Sequence, residues 1–208
     1  MLHLETVEPG TFSVLKKLMS LPALQNFALV GGTALSLKYG HRTSIDLDLF
    51  WNGNFTNDSI VNALEKYFGS DFNYKKSNDA FGIFCFIKNV KVDIVNFPHP
   101  LLQAVENIDG IRMYSNADIA AMKIQAFLGR GKKKDFWDLH TLLKHYTLQE
   151  IMSWHKEKYP SQMLAIGIPH AITYFVDADE SEEPLSLQGQ TWENIKKDIS
   201  KTVRDFLS

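Results

Sequence analysis

Two aspartates separated by one residue, Asp46 and Asp48, stand in the apolar segment SIDLDLF. Side chains alternate along a β-strand, so both carboxylates are expected on one face, about 6.6 Å apart, with Ile45, Leu47 and Leu49 on the other. Burial and mutual repulsion both disfavour two ionised carboxylates, so a cation should hold them. Mg²⁺ is the natural candidate because it takes carboxylate oxygens and keeps positions for water and substrate phosphate. Exposed aspartates on an edge strand would show the same pattern.

A third carboxylate, Asp93, interrupts the apolar segment KVDIVNF. This segment is too hydrophobic for a surface loop and is interpreted as another strand. If the two strands are neighbours, Asp46, Asp48 and Asp93 converge. Three carboxylates on adjacent strands can hold a pair of divalent ions, as in phosphoryl and nucleotidyl transfer. The sequence therefore predicts metal ligands at these aspartates, and Asp93 is also a candidate to help deprotonate an acceptor.

A glycine pair, Gly31 and Gly32, separates a short apolar strand from a helix that begins near Thr33. Glycines let the backbone approach a ligand closely, and a helix start presents free N–H groups with its positive dipole end. We expect this turn to bind phosphate, with the Thr33 hydroxyl as a helix cap or a phosphate contact. Arg42 and Ser44, in the link after the helix, are further candidates for nucleotide contacts. A glycine pair also occurs in simple turns, and its position ahead of the paired aspartates favours the phosphate site.

Charged residues also lie within apolar helical stripes later in the chain. At about 100° per residue, Lys123 and Arg130 fall between the apolar residues of one predicted helix. Asp135 falls among the leucines of the next helix, with Asp138 at the rim. Two interpretations are open: a structural ion pair between Lys123 and Asp135, or a lysine that contacts the triphosphate of an NTP while Asp135 orients it. The second is favoured, because buried charges on two successive helices are hard to explain by stability alone.

A mixed sheet is needed to position these residues. The first half alternates patterns, with predicted helices at 11–20, 33–39 and 57–68, strands at 27–30 and 44–50, and a hairpin turning near Lys88 and Asn89. Beyond about residue 110 the β pattern ends, and helices are predicted near 117–128, 134–146, 148–159, 162–175 and 191–207. The predicted class is α+β, a mixed sheet flanked by helices. The predicted domains are an α/β core at 1–110 and a helical domain at 111–208.

The composition excludes several classes of protein. A chain of 208 residues with 45% hydrophobic content can bury a substantial core. Its net charge of −2 disfavours a DNA-coating role, because the whole molecule does not attract phosphate backbones at long range. One cysteine excludes an internal disulfide framework. No apolar segment approaches the roughly 18 to 20 residues that cross a bilayer, so we expect a cytoplasmic protein without a membrane partner.

The segments LVGGTALSLKYGHRTSIDLDLF and DIAAMKIQAFLGRGKKKDFWDL together resemble the AbiEii/AbiGii toxin-type nucleotidyltransferases of prokaryotes, in the DNA polymerase β-like superfamily. The resemblance covers about residues 25–145. It implies a nucleotidyltransferase core with a helical C-terminal part, using Mg²⁺ and an NTP. Relatives act as toxins in toxin–antitoxin or phage-defence systems, and some transfer nucleotides to tRNA. The functional positions that the motif match implies are Gly31, Gly32, Thr33, Asp46, Asp48, Asp93, Lys123 and Asp135.

These observations together predict a Mg-dependent nucleotidyltransferase that moves an NMP from an NTP to a hydroxyl acceptor, such as tRNA or a protein. A toxin role implies a cognate antitoxin as a partner. Arg42, Ser44, Lys123 and Arg130 join the glycine turn as predicted nucleotide-binding residues. One alternative is a module that holds Mg-nucleotide without turnover or serves as a protein partner in a two-component system. Another is a metal-dependent phosphohydrolase, which would release phosphate in place of pyrophosphate.

Overall fold

The computed structural model describes residues 1–75, 81–129, 131–164 and 166–208. Its strands are β1 (Ala28–Leu29), β2 (Leu47–Trp51), β3 (Phe72–Tyr74), β4 (Gly82–Ile87), β5 (Val90–Asn96), β6 (Glu106–Ile108) and β7 (Ile111–Met113). Its helices are α1 (Pro9–Ser20), α2 (Gly31–Tyr39), α3 (Asn57–Phe68), α4 (Asn116–Gly129), α5 (Lys133–Leu143), α6 (Leu148–Lys158), α7 (Ile168–Ala171), α8 (Val176–Asp179) and α9 (Trp192–Leu207). No helix within these ranges is long and apolar enough to cross a membrane.

The strands form one mixed sheet in the order β3-β4-β5-β2-β1-β7-β6. At its centre, β2 pairs in parallel with β5 and antiparallel with β1. On the other side of β1, β7 pairs in parallel with β1, and β6 forms the edge by pairing antiparallel with β7. Helices flank the sheet and follow β7 to the end of the chain. The predicted class, an α+β fold with a mixed sheet and a helical second half, is confirmed.

The register of β2 against β5 is fixed by the apolar side chains on one face. Leu47 lies opposite Val92 and Leu49 opposite Ile94, and all four side chains are at most 1% exposed. Burying each of them contributes about 1.5–3 kcal/mol relative to exposure. A slip of one residue would turn Asp48 into this apolar layer, so the alternation of the sequence holds the carboxylate on the opposite face.

The strand pattern continues past residue 110, contrary to the sequence prediction. A hairpin joins β6 to β7, and its turn places Asp109 at φ 52° and Gly110 at φ 83°. Three-residue strands are too short to show a period, but the Asp-Gly dipeptide was an available hairpin signal. Because β7 belongs to the sheet, the residues just after 110 pack with the first half of the chain. The division into domains at 110 stays a prediction.

Two other segments differ from their predicted form. In the described part of 162–175, the structure has the four-residue helix α7 in place of one long helix, because Gly167 precedes the start of α7 and Pro169 is accepted only in a first helical turn. Helix α8 begins just after this range, at Val176. The strand predicted at 44–50 begins at Leu47, because the Thr43 N–H binds the Leu185 carbonyl and the Ser44 N–H binds the Thr6 carbonyl. Ile45, predicted to share a strand face with Leu47 and Leu49, lies outside β2 and is 65% exposed, whereas both leucines are buried.

Candidate active site

A cleft of about 210 Å³ opens between the start of α2, the beginning of β2 and the facing helices α4 and α5. Most of the predicted site residues meet there although they come from separate parts of the chain. Asp93 lies beside the cleft on β5, and Arg130 lies outside the described residues. The predicted residues that line the cleft are Gly31, Gly32, Thr33, Arg42, Ser44, Asp46, Asp48, Lys123 and Asp135.

The carboxylates of β2 and β5 are direct neighbours. Asp48 pairs in register with Asp93, so the predicted adjacency of the two strands is confirmed. Burial, together with the nearby charge of Asp93, raises the pKa of Asp48 to about 6. Asp46 lies one residue before β2 and still lines the cleft. One side of the cleft therefore carries neighbouring carboxylates whose ionisation is energetically unfavourable.

Lysines accompany two of these three carboxylates. Lys91 Nζ lies 2.6 Å from Asp93 Oδ2, and Lys134 Nζ lies 3.5 Å from Asp46 Oδ2. Among the described residues, no group of three or more His, Cys, Asp or Glu side chains is arranged to hold a metal ion, so the predicted metal ligands stay a prediction. The donor set does fit a hard cation. Asp93 Oδ1 is buried and has no hydrogen-bond partner within the described part of the chain, and Asp48 would gain from a neighbouring positive charge.

The glycine turn is attached to β2 at the carboxylates. Val30 N–H donates to the Asp48 carbonyl at 2.9 Å, and Gly31 follows with φ 71°, a conformation that favours glycine. A Cβ at Gly31 would lie 2.9 Å from Asp48 Oδ2, so the position also lacks space for a side chain. Among the described side chains, none caps the start of α2. Its first N–H groups are therefore available to a ligand in the cleft.

Thr33 ties the turn to the segment before β2. Its hydroxyl lies 2.7 Å from Ser44 Oγ and donates to the Asp46 carbonyl. The side chain is only 1% exposed. In this arrangement the hydroxyl neither caps α2 nor points freely into the cleft; it fixes the distance between the glycine turn and the carboxylates.

Arg42 supports the glycine turn from behind. Its Nε and Nη2 atoms donate to the two carboxylate oxygens of Asp138 at 2.8 and 2.9 Å, and Nη1 donates to the Thr43 carbonyl at 2.9 Å. A Cβ at Gly32 would overlap Nη2 of this guanidinium. Burial would lower the pKa of Arg42, but the charge and hydrogen bonds of Asp138, together with the charges of Asp135 and Asp46, outweigh burial and raise the pKa. The arginine thus remains charged, and it explains why position 32 is a glycine.

Lys123 joins the same buried cluster from α4. Its Nζ atom lies 2.9 Å from Asp135 Oδ1 and 2.5 Å from Asp138 Oδ2, and the residue is 8% exposed. Burial would lower its pKa, but the charges of Asp135 and Asp138 raise it. The ion pair of the first interpretation is present, and Lys123 also lines the cleft. Its contact with a triphosphate stays a prediction.

Asp138 was placed at the rim of its helix by the sequence, and this was wrong. It is fully buried, and His41 Nε2 lies 2.7 Å from Asp138 Oδ1. Burial would raise the pKa of Asp138, but Arg42 and Lys123 hold it well below its ordinary value. The available signal was its spacing of three residues from Asp135, which puts both carboxylates on one face of α5.

The family of the chain follows from a comparison with known proteins. A family model described as nucleotidyl transferase AbiEii toxin, type IV toxin–antitoxin system, matches residues 13–206. The chain belongs to the AbiEii nucleotidyltransferase toxin family. It is therefore a nucleotidyltransferase, and the resemblance drawn from its two sequence motifs is confirmed.

Known proteins resemble this AbiEii family member over almost its whole length. An uncharacterized protein of Aquifex aeolicus is 33% identical over 199 residues, covering 93% of this chain and 94% of that protein. A candidate nucleotidyltransferase from H. pylori aligns with a TM-score of 0.57 at 20% identity, covering 95% and 94% of the two chains. The nucleotidyltransferase toxin MenT4 of Mycobacterium tuberculosis aligns with a TM-score of 0.59 at 14% identity, covering 95% and 86%. The two structural matches show the shared fold.

Replacing Gly32 with alanine is expected to destabilise this AbiEii family member by about 1–3 kcal/mol, because the new methyl group overlaps a guanidinium held by Asp138. The cost should shrink in an Arg42→Ala background, giving a coupling energy of about 0.5–3 kcal/mol in a double-mutant cycle. Urea unfolding of the four proteins measures it. Gly10→Ala is the matched control, because a Cβ there meets nothing within 4 Å. If the losses of unfolding free energy in Gly32→Ala and Arg42→Ala simply add in the double variant, this explanation of Gly32 is contradicted.

Proposed function

We propose that the protein transfers a nucleoside monophosphate from an NTP to a hydroxyl group of an acceptor and releases pyrophosphate. The observation that carries the proposal is that the start of α2, at Gly31 and Gly32, meets the carboxylates of Asp46 and Asp48 in one cleft, and no described side chain caps this helix start. Phosphoryl groups are negatively charged, so a site for their transfer needs N–H donors and cations on one side. Groups on the opposite side must position the acceptor oxygen and stabilise the charge that develops on it.

The triphosphate would lie against the start of α2. The N–H groups that follow Gly31 donate to phosphate oxygens, and the positive end of the helix dipole supports them. Lys123 and Lys134 are lysines that line the cleft, from α4 and α5. Lys123 is fixed by two carboxylates, whereas Lys134 is 3.5 Å from Asp46 and about half exposed, with 42% of its side chain accessible. Lys134 is therefore free to turn toward phosphate, while Lys123 contributes from a fixed position.

The acceptor hydroxyl would approach from the side of β2 and β5. The acceptor oxygen forms a bond to the α-phosphorus, the bond from that phosphorus to the bridging oxygen of the β-phosphate breaks, and pyrophosphate leaves. The buried Asp93 Oδ1 has no partner among the described residues and can take the hydroxyl proton. Asp46, Asp48 and Asp93 would hold Mg²⁺, which when bound neutralises phosphate charge and activates the acceptor oxygen.

The toxin description of the family supports a toxin role for this chain, and with it a cognate antitoxin as partner. The acceptor we propose is a hydroxyl of an RNA, such as tRNA, or of a protein. A cytoplasmic location is proposed with it, since NTPs and such acceptors occur there.

Transfer of label from NTPs tests the proposal. With Mg²⁺ and total RNA or total protein, the wild-type protein should label an acceptor and release pyrophosphate, and Asp46→Asn should lower the rate by about 100-fold or more. Asp205→Asn, an exposed carboxylate of α9, should keep the wild-type rate. Calorimetry with Mg-NTP separates the alternatives. Binding without any product would favour a nucleotide-holding module, and free phosphate in place of pyrophosphate would favour a phosphohydrolase; either result would overturn the transfer proposal.

A further inference from the structure

Asp138 contacts charged or polar groups that come from two separate parts of the chain. Arg42 and His41 belong to the link after α2, whereas Lys123 belongs to α4, and all three side chains lie within 2.5 to 2.9 Å of the Asp138 carboxylate. Asp138 is fully buried, as is His41. Both oxygens of the carboxylate are used, since Oδ1 accepts from Arg42 Nε and Oδ2 from Arg42 Nη2 and Lys123 Nζ.

The two cations that Asp138 binds, Arg42 and Lys123, lie on opposite walls of the cleft. Arg42 packs directly behind Gly32, so its position fixes the backbone of the glycine turn. Lys123 faces the same cleft from α4. Asp135 reaches Lys123 from the same helix as Asp138, but it has no contact to Arg42 within the hydrogen bonds and ion pairs of the described residues. Asp138 is therefore the group that joins the glycine turn to the lysine.

We propose that Asp138 is a positioning residue that sets the distance between the glycine turn and the Lys123 ammonium, so that both meet one polyphosphate chain. The inference rests on the proposed function, because it requires a triphosphate to bind between these two walls. Asp138 acts through Arg42 and Lys123 and does not touch the ligand. Displacements of about 1 Å in such a site can lower rates by about 100-fold.

The sign of the effect separates positioning from simple charge. Asp138→Asn removes a negative charge near the cleft, so charge alone would make an anion bind more tightly. Positioning predicts the reverse, because Arg42 and Lys123 would move apart without their shared carboxylate. Asp138→Glu keeps the charge but adds one methylene group, so positioning predicts weaker binding for this variant as well, whereas charge alone predicts no change.

The experiment measures the dissociation constant of inorganic tripolyphosphate by calorimetry, and KM and kcat for each of the four NTPs. Each variant is assayed at a temperature where its unfolding curve shows the folded state. For Asp138→Asn and Asp138→Glu we expect tripolyphosphate to bind about 10- to 100-fold more weakly, with KM for the NTP raised in parallel. If Asp138→Asn does not fold, the tripolyphosphate affinity of Asp138→Glu tests the proposal alone, since this variant leaves no buried cation without a carboxylate.

Asp118→Asn is the matched control. Asp118 is also fully buried and pairs with a buried lysine, Lys158, at 2.7 Å, but it does not line the cleft. It should lower the melting temperature and leave tripolyphosphate binding within about twofold of wild type. Tighter binding in Asp138→Asn, unchanged binding in both Asp138 variants, or an equal loss in Asp118→Asn would overturn the positioning role while the proposed function stands. A wild-type protein that neither binds tripolyphosphate nor transfers nucleotide would overturn both.

Discussion

Replacing Asp48 with asparagine is expected to abolish nucleotide transfer and, at the same time, to stabilise the metal-free protein at pH 7. Transfer should fall by about 1,000-fold, because the carboxylate adjoins both the glycine turn and Asp93. Stability should rise because folding raises the pKa of Asp48 from its ordinary value to about 6. The folded protein therefore holds the proton more tightly than the unfolded chain, and this preference is lost as the pH rises from about 4 through 6. The cost of ionisation at pH 7 is up to about 3 kcal/mol.

Urea unfolding in the presence of a chelator, at pH 7 and pH 4, measures the stability change. The difference between Asp48→Asn and wild type should be about 2–3 kcal/mol at pH 7 and near zero at pH 4. Asp71→Asn is the control, because its carboxylate is half exposed and pairs only loosely, at 3.6 Å, with Lys88. A variant that transfers nucleotide at the wild-type rate would contradict the functional role of Asp48. A variant that is less stable than wild type at pH 7 would contradict the cost of ionising this buried carboxylate.

Replacing Lys123 with methionine is the second change with a large expected effect. It leaves Asp135 and Asp138 buried with Arg42 as the remaining cation in direct contact with either carboxylate among the described residues. Breaking a buried ion pair from one side costs about 3–5 kcal/mol, because the other charge remains without compensation. Urea unfolding at pH 7 measures the loss. Lys156→Met, an exposed lysine of α6, should change stability by less than about 0.5 kcal/mol.

The same variant separates the two interpretations of Lys123. If the lysine only holds α4 to α5, the fraction of Lys123→Met that is folded should transfer nucleotide at the wild-type rate. If it also contacts the triphosphate, the rate per folded molecule should fall by about 100-fold, as when a charged donor is removed from a phosphoryl-transfer site. A loss of stability below about 1 kcal/mol would contradict the buried ion pair itself.

The local patterns of the sequence were sufficient to predict the facing carboxylates of Asp48 and Asp93 and the glycine turn at Gly31 and Gly32. Alternation along SIDLDLF and KVDIVNF put Asp48 and Asp93 on the polar side of their strands, and their pairing in register followed once the strands were neighbours. The two glycines indicated a turn followed by a helix from Thr33, and the structure starts α2 two residues earlier, at Gly31. Phosphate binding at this turn stays a prediction. These signals are readable because each depends on residues within a single element and its immediate turn.

Other features could not be read because they depend on pairing between distant parts of the chain. The segment at 43–44 binds Leu185 and Thr6 in place of a neighbouring strand, which shortens β2 and leaves Asp46 before it. Arg42 and Asp138 are 96 residues apart, so no local pattern shows that a guanidinium fills the space beside Gly32.

The sequence by itself determined which kinds of side chain the candidate site contains, through the glycine pair, the paired aspartates and the lysine in an apolar stripe. The same motifs indicated the family. Only the tertiary structure decided that Asp138 joins Arg42, His41 and Lys123 into one buried cluster. The physical reason is that helical and strand periodicity specifies which face of an element a residue occupies. Which charged groups then meet is set by how the apolar faces of separate elements pack, and that depends on the whole chain.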